Sequence, residues 1–117
     1  MLFRSAPAVT TFSNTGGITG VTYTLNTCTD IKGNILAVAT TTGIINIGGY
    51  ATIRVAFNKN YNTPPIVVVT PTTDFGNMSY FISSVTPTAF FVTIKNNTAA
   101  NISGSTFNWG FNYMVIE

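Results

Sequence analysis

A chain of 117 residues has room for one domain with a real hydrophobic core and no second one. Only 7% of it is charged, against roughly 25% in an average domain, and 21 Thr, 13 Asn and 7 Ser stand where charges are usually found. The absence of His removes the commonest general base and zinc ligand, a single Cys excludes an internal disulfide, and five Lys and Arg spread one by one argue against a nucleic-acid footprint.

Residues 1–20 are rich in Ser, Thr, Gly, Ala and Pro, with little periodicity and breakers at Gly16-Gly17 and Gly20. They read as an extended N-terminal arm, too poor in large apolar side chains to shape itself, and residues 21–117 as the folded domain. Met-Leu-Phe-Arg lacks the apolar core of a secretory signal, so no leader is expected.

Val21, Tyr23 and Leu25 alternate with Thr and Asn and predict a first strand, followed by a turn at Lys32-Gly33-Asn34. Ile35 to Thr40 and Gly43 to Ile47 read as two short strands joined through Thr41-Thr42-Gly43. Tyr50 to Phe57 alternates more cleanly, with Arg54 on its wetter face. Pro64-Pro65 precedes a strand from Ile66 to Thr70, whose run of Ile-Val-Val-Val predicts burial on both faces, and Pro71 ends it.

Thr72 to Met78 is a loop, Ser79 to Val85 and Phe90 to Lys95 form a hairpin through Thr86-Pro87-Thr88, and Asn96 to Thr106 is a long loop. The last strand, Phe107 to Ile116, is the clearest. Phe107, Trp109, Phe111, Tyr113 and Val115 occupy one face, which period-2 geometry buries. Met114 and Ile116 make the other face apolar near its end, which predicts a mid-sheet strand dry on both sides there.

Six to eight short strands with no helical period predict an all-β fold, a single antiparallel β-sandwich with an extended N-terminal arm. A transmembrane barrel of eight strands would use up nearly the whole chain, and its first 17 residues do not read as strand. No membrane insertion is expected.

No constellation of residues spells out a reaction. The acids are Asp30, Asp74 and Glu117, so a two-carboxyl hydrolase would have to bring Asp30 to Asp74 or build a pair across subunits. Cys28 has no His to activate it and is expected to be a small, half-buried strand residue. Asp74 with Asn77 offers one carboxylate to calcium, which takes six to eight oxygens, and shapes a turn more simply. No cofactor, metal or catalytic residue is expected. The sequons at Asn77, Asn96 and Asn101 are no more than chance gives in so Asn- and Thr-rich a chain.

Tyr61, Phe75 and Tyr80 lie in or beside Asn-rich loops, a mixture of flat aromatic and adaptable amide that suits sugars and protein surfaces. A partner- or glycan-binding site is therefore expected at Tyr61, Asp74, Phe75, Asn77 and Asn97. In the alternative, Tyr61 covers the end of the sandwich. A surface so apolar and so weakly charged lacks the repulsion that keeps domains apart, which predicts an obligate assembly.

The pattern Val55-x-Phe57-x-x-x-Tyr61-x-x-Pro64-Pro65-x-Val67-x-Val69-Thr70-Pro71, then Val85-Thr86 to Phe90-Phe91-Val92, then Phe107-x-Trp109-x-Phe111-x-Tyr113-x-Val115 resembles a bacteriophage virion surface module. This module occurs at the C-terminal ends of tail fibres and is similar to the H-type lectin sandwich. The resemblance runs from Gly48 to the C-terminus and implies a non-enzymatic homotrimer on a virion surface. Its implied partners are other virion proteins of capsid or tail, or a host cell-surface glycan. No amino-sugar motif of those lectins is found here. A chain with a short Gly/Thr-rich arm is more like a capsid decoration or spike protein than a long fibre, with Leu2, Phe3, Arg4 and Phe12 as the expected capsid attachment.

Overall fold

The computed structural model describes residues 6–117. Its strands are β1 (Ala8–Asn14), β2 (Ile18–Asn26), β3 (Lys32–Ile45), β4 (Tyr50–Ala56), β5 (Ile66–Pro71), β6 (Ser79–Val85), β7 (Ala89–Lys95) and β8 (Ile102–Ile116). They form two four-stranded antiparallel sheets, β1-β4-β7-β6 (sheet A) and β2-β3-β8-β5 (sheet B), packed as a β-sandwich. Among the described residues there is no helix.

The core lies between the sheets and is supplied by alternate residues. Ile53 and Val55 of β4 and Phe90, Val92 and Ile94 of β7 face Ile35, Ala37 and Ala39 of β3 and Trp109, Phe111 and Tyr113 of β8, all essentially buried. Small residues on β3 lie opposite large ones on β8, with Ala37 paired to Trp109 and Ala39 to Phe107. The large rings therefore fill the interlayer space without overpacking it.

The structure corrects the sequence reading at its start. Residues 8–14 are strand β1, which pairs with β4 from Ala8↔Ala56 to Asn14↔Ala51, and the second strand begins at Ile18 rather than Val21. The domain boundary near Gly20 thus falls inside β2, and the expected arm is, over its described part, an edge strand. Its exposure alternates, but the one large ring, Phe12, is on the exposed side and only Val9 is aliphatic on the other, which is why the segment shows no hydrophobic period; a bulge shifts the register between Thr11 and Ser13. Gly16, at φ 68°, lets the β1–β2 turn lie against Gly49, where a Cβ would come within 2.3 Å of the Gly49 Cα.

Three further readings change. Lys32-Gly33-Asn34 is not a turn but the start of β3, and Gly33 is required because a Cβ there would meet Cys28 Sγ at 2.6 Å. Cys28 is buried in the β2–β3 connection rather than half-buried in a strand. Thr41-Thr42-Gly43 does not reverse the chain. β3 runs on through a bulge there, because Ile102 to Gly104 of β8 are present to pair with Gly43 to Ile45, so the expected loop after β7 is shortened to Asn96–Asn101.

Asn96 organises that loop. It is fully buried; its Nδ2 donates to the carbonyls of Ile45, Asn46 and Ala100 at 2.9 to 3.2 Å, and its Oδ1 accepts from Thr98 N and Oγ1. An apparent sequon is thus an internal hydrogen-bond hub.

Candidate functional site

The loop between β5 and β6 is laid along the edge of β8 by Thr73, whose Oγ1 donates to the Asn108 carbonyl at 3.1 Å and accepts from Gly110 N at 2.9 Å. Gly110 permits this approach, since a Cβ there would meet Thr72 Oγ1 at 2.7 Å. The loop then forms one wall of a cleft of about 290 Å³, lined by Asp74, Phe75, Gly76 and Asn77 on one side and Ile102, Phe107, Asn108 and Trp109 on the other. Asp74 Oδ1 accepts from Gly76 N at 2.7 Å, the turn expected of an Asp two residues before a Gly. Phe75 packs edge-on against Tyr80 at 5.4 Å, and the Phe107 ring stacks on Trp109 at 6.1 Å. The indole Nε1–H of Trp109 is buried with no hydrogen-bond partner among the described residues.

The structure thus brings Asp74, Phe75 and Asn77 together, and leaves Tyr61 and Asn97 out. Tyr61 is 8% exposed, edge-on to Phe57 at 5.0 Å, with its N–H donating to the Pro87 carbonyl. It closes the end of the core, the alternative the sequence left open, and is not an exposed recognition residue. Asn97 is exposed in the β7–β8 loop and does not line the cleft.

A second feature lies on the outer face of sheet A. Phe12, 65% exposed, meets Phe91 edge-on at 5.1 Å. The two rings border a shallow groove of about 370 Å³ whose floor is a chain of hydroxyls, Thr52 to Thr93 at 2.9 Å and Thr93 to Ser83 at 2.9 Å. Of the residues expected to attach to a capsid, Phe12 is on this face, carried by a strand rather than by an arm. Leu2, Phe3 and Arg4 lie outside the described residues.

A third feature was not expected. Ile66 and Val68 of β5 are 64% and 46% exposed, and Met114 and Ile116 of β8 are 54% and 45% exposed. The predicted burial of both faces therefore fails for β5, of which Val67 is the buried residue, and for the end of β8. β8 is mid-sheet as expected, but its even face at this end is turned to solvent. The residues pair Ile66↔Ile116 and Val68↔Met114, so the four form one patch. The apolar run was visible in the sequence; that nothing among the described residues covers its second face was not.

The remaining polar side chains of the interior are engaged in structure. Asp30 is buried, its two oxygens accepting from the N–H groups of Asn58 and Lys59 at 2.9 and 2.8 Å, so it fixes the β4–β5 connection. Tyr113 donates its hydroxyl to the Thr29 carbonyl next to it, and burial, with lesser contributions from Cys28 and Asp30, holds its phenol in the neutral form well above the ordinary range. Asp30 and Asp74 are committed to different loops, and among the described residues no three His, Cys, Asp or Glu come together.

Comparison of the chain with protein-family models, curated proteins and solved structures gives no significant match.

Proposed function

We propose that this chain is a non-enzymatic structural protein of a virion surface, a homotrimer that fastens to other virion proteins as a decoration, cement or spike subunit. The observation that carries this reading is the presence of exposed large apolar side chains on both outer faces of a sandwich with eight charged residues, Phe12 and Phe81 on one and Ile66, Val68, Met114 and Ile116 on the other. Such surfaces are stable in water when covered by other protein. The non-enzymatic part rests on the separate structural commitments of Asp30 and Asp74 and on a chain without His.

Two measurements test this. Sedimentation at micromolar concentration should give a trimer of the 12.5 kDa chain, and antibodies to it should label intact particles. A stable folded monomer that labels no particle would overturn the reading.

A second reading, recognition of a host glycan by a fibre tip or lectin, is favoured by the cleft that Asp74, Phe75 and Asn77 form against Phe107 and Asn108. A glycan array separates the two. Selective sugar binding that is lost in Asp74→Ala would favour recognition.

A further inference from the structure

We propose that the groove on the outer face of sheet A is a ligand site for the ring of a neutral sugar. Neither reading above places a ligand on this face, and the cleft of Asp74 shares no residue with the groove.

Two bulges build the groove. Consecutive side chains of a regular strand point to opposite faces, yet Phe12 and Ser13 of β1 both line it, and so do Ser83 and Ser84 of β6. In each strand the register shifts at that same pair, between Thr11 and Ser13 and between Ile82 and Ser84, where an extra residue re-aims its neighbour. The β4–β7 pairing between them is regular. Both edge strands of the sheet therefore have their one irregularity at the same place, on either side of the row Ser13↔Thr52↔Thr93.

The floor is polar in one sense only. Thr52 and Thr93 are buried although the face is an outer one. Thr93 gives its one hydroxyl proton to Ser83 Oγ at 2.9 Å, and Ser83 gives its own to the Phe91 carbonyl at 3.4 Å. The proton between Thr52 and Thr93, 2.9 Å apart, must then come from Thr52. All three protons are committed, and the floor leaves only lone pairs for a ligand. A peptide's carbonyls would find no donor there, whereas a sugar hydroxyl can donate to each site. The hydroxyls of Ser13, Tyr50 and Ser84, which also line the groove, have no partner among the described residues and can answer the ligand in either sense.

Charge narrows the class further. No charged side chain lines the groove, so an anion seated in it would meet lone pairs and no cation. A cation is repelled by Arg54 and Lys95, in the flanking rows Thr10↔Arg54↔Phe91 and Tyr50↔Lys95↔Ser79, with no acid on any strand of the sheet. The ligand that fits is neutral, rich in hydroxyl donors and provided with an apolar face. A pyranose has all three: its hydroxyls would donate to Thr52 and Thr93, and its C–H face would lie on the exposed Phe12 ring, which Phe91 braces edge-on at 5.1 Å. A volume of about 370 Å³ is at the small end of ligand pockets, of a size for a short sugar.

The test uses the full chain on an array of neutral oligosaccharides, with sialylated and uronic-acid oligosaccharides and a single-stranded oligonucleotide for comparison. At least one neutral sugar should be retained, equally at low and high salt. Phe12→Ala, at an exposed ring, should weaken that binding by about tenfold and Phe12→Tyr should keep it. Thr93→Val, which removes a floor acceptor, should also weaken it by about tenfold, with the far-ultraviolet spectrum of each variant that of the wild type. If Thr93→Val does not fold, Phe12→Ala decides alone. Asp74→Ala should leave this binding unchanged, which separates it from recognition at the cleft. The proposal is overturned if no neutral sugar is retained, or if binding is indifferent to Phe12→Ala. Retention of acidic ligands alone, fading as salt rises, would overturn it in favour of an anion site at Arg54 and Lys95.

Discussion

Trp109, Phe111, Tyr113 and Val115 of β8 are buried, while Met114 and Ile116, between and beside them on the same strand, stand about half exposed. The two sets are similarly hydrophobic and a few ångströms apart. They differ only in what lies above them: the odd face has sheet A, and the even face has nothing from the described residues. In a protein with so little charge, apolar character alone therefore does not tell which residue holds the domain together; the layer packed above it decides.

The contrast can be broken most severely at Trp109. Trp109→Ala should lower stability by about 3 to 5 kcal/mol, as for large aromatics truncated in a packed core, whereas Asn108→Ala on the opposite face should stay within about 0.5 kcal/mol. Denaturation midpoints measured side by side decide this, and equal midpoints would mean that the wrong face has been assigned to the interior. Asn96→Ala comes next. It strips partners from buried carbonyls at the end of the core, and a loss of about 2 to 3 kcal/mol is expected by chemical denaturation.

Tyr113 sharpens the comparison by pH. Its phenol is held above the ordinary value of 10.0 by burial, so above that pH the unfolded chain gives up a proton that the folded chain keeps. Stability is therefore fully present below pH 10 and falls as pH rises beyond it. Tyr113→Phe should lose about 1 kcal/mol at neutral pH, from the Thr29 carbonyl left unpaired, and should flatten the alkaline decline in melting temperature. The smallest effect on the fold belongs to the outer face. Met114→Ser should change the stability of the isolated domain by no more than about 0.5 kcal/mol, yet under the proposed assembly it should make the melting temperature more dependent on protein concentration, which calorimetry over a dilution series would detect.

The sequence by itself determined the all-β class, because alternation at Tyr50 to Phe57 and Phe107 to Ile116 is incompatible with a helix, and it placed β4 to β7 to within one or two residues. It also located the Asp74, Phe75 and Asn77 cluster, since three neighbours on one loop need no tertiary contact to be near each other. Only the tertiary structure decided the rest. β1 carries one inward-facing aliphatic residue, Val9, and a bulge, so its strand conformation is imposed by pairing with β4 rather than by its own pattern. β3 passes through Thr-Thr-Gly without turning because β8 offers a partner strand beyond it. Tyr61 is inside because the Pro87 carbonyl, distant in sequence, accepts from its N–H and holds it against the nearby Phe57 ring. A period fixes that a strand has two faces, and local chemistry fixes what each face is made of; whether a face is dry depends on which distant segment arrives to cover it, and that information is not carried by the strand itself.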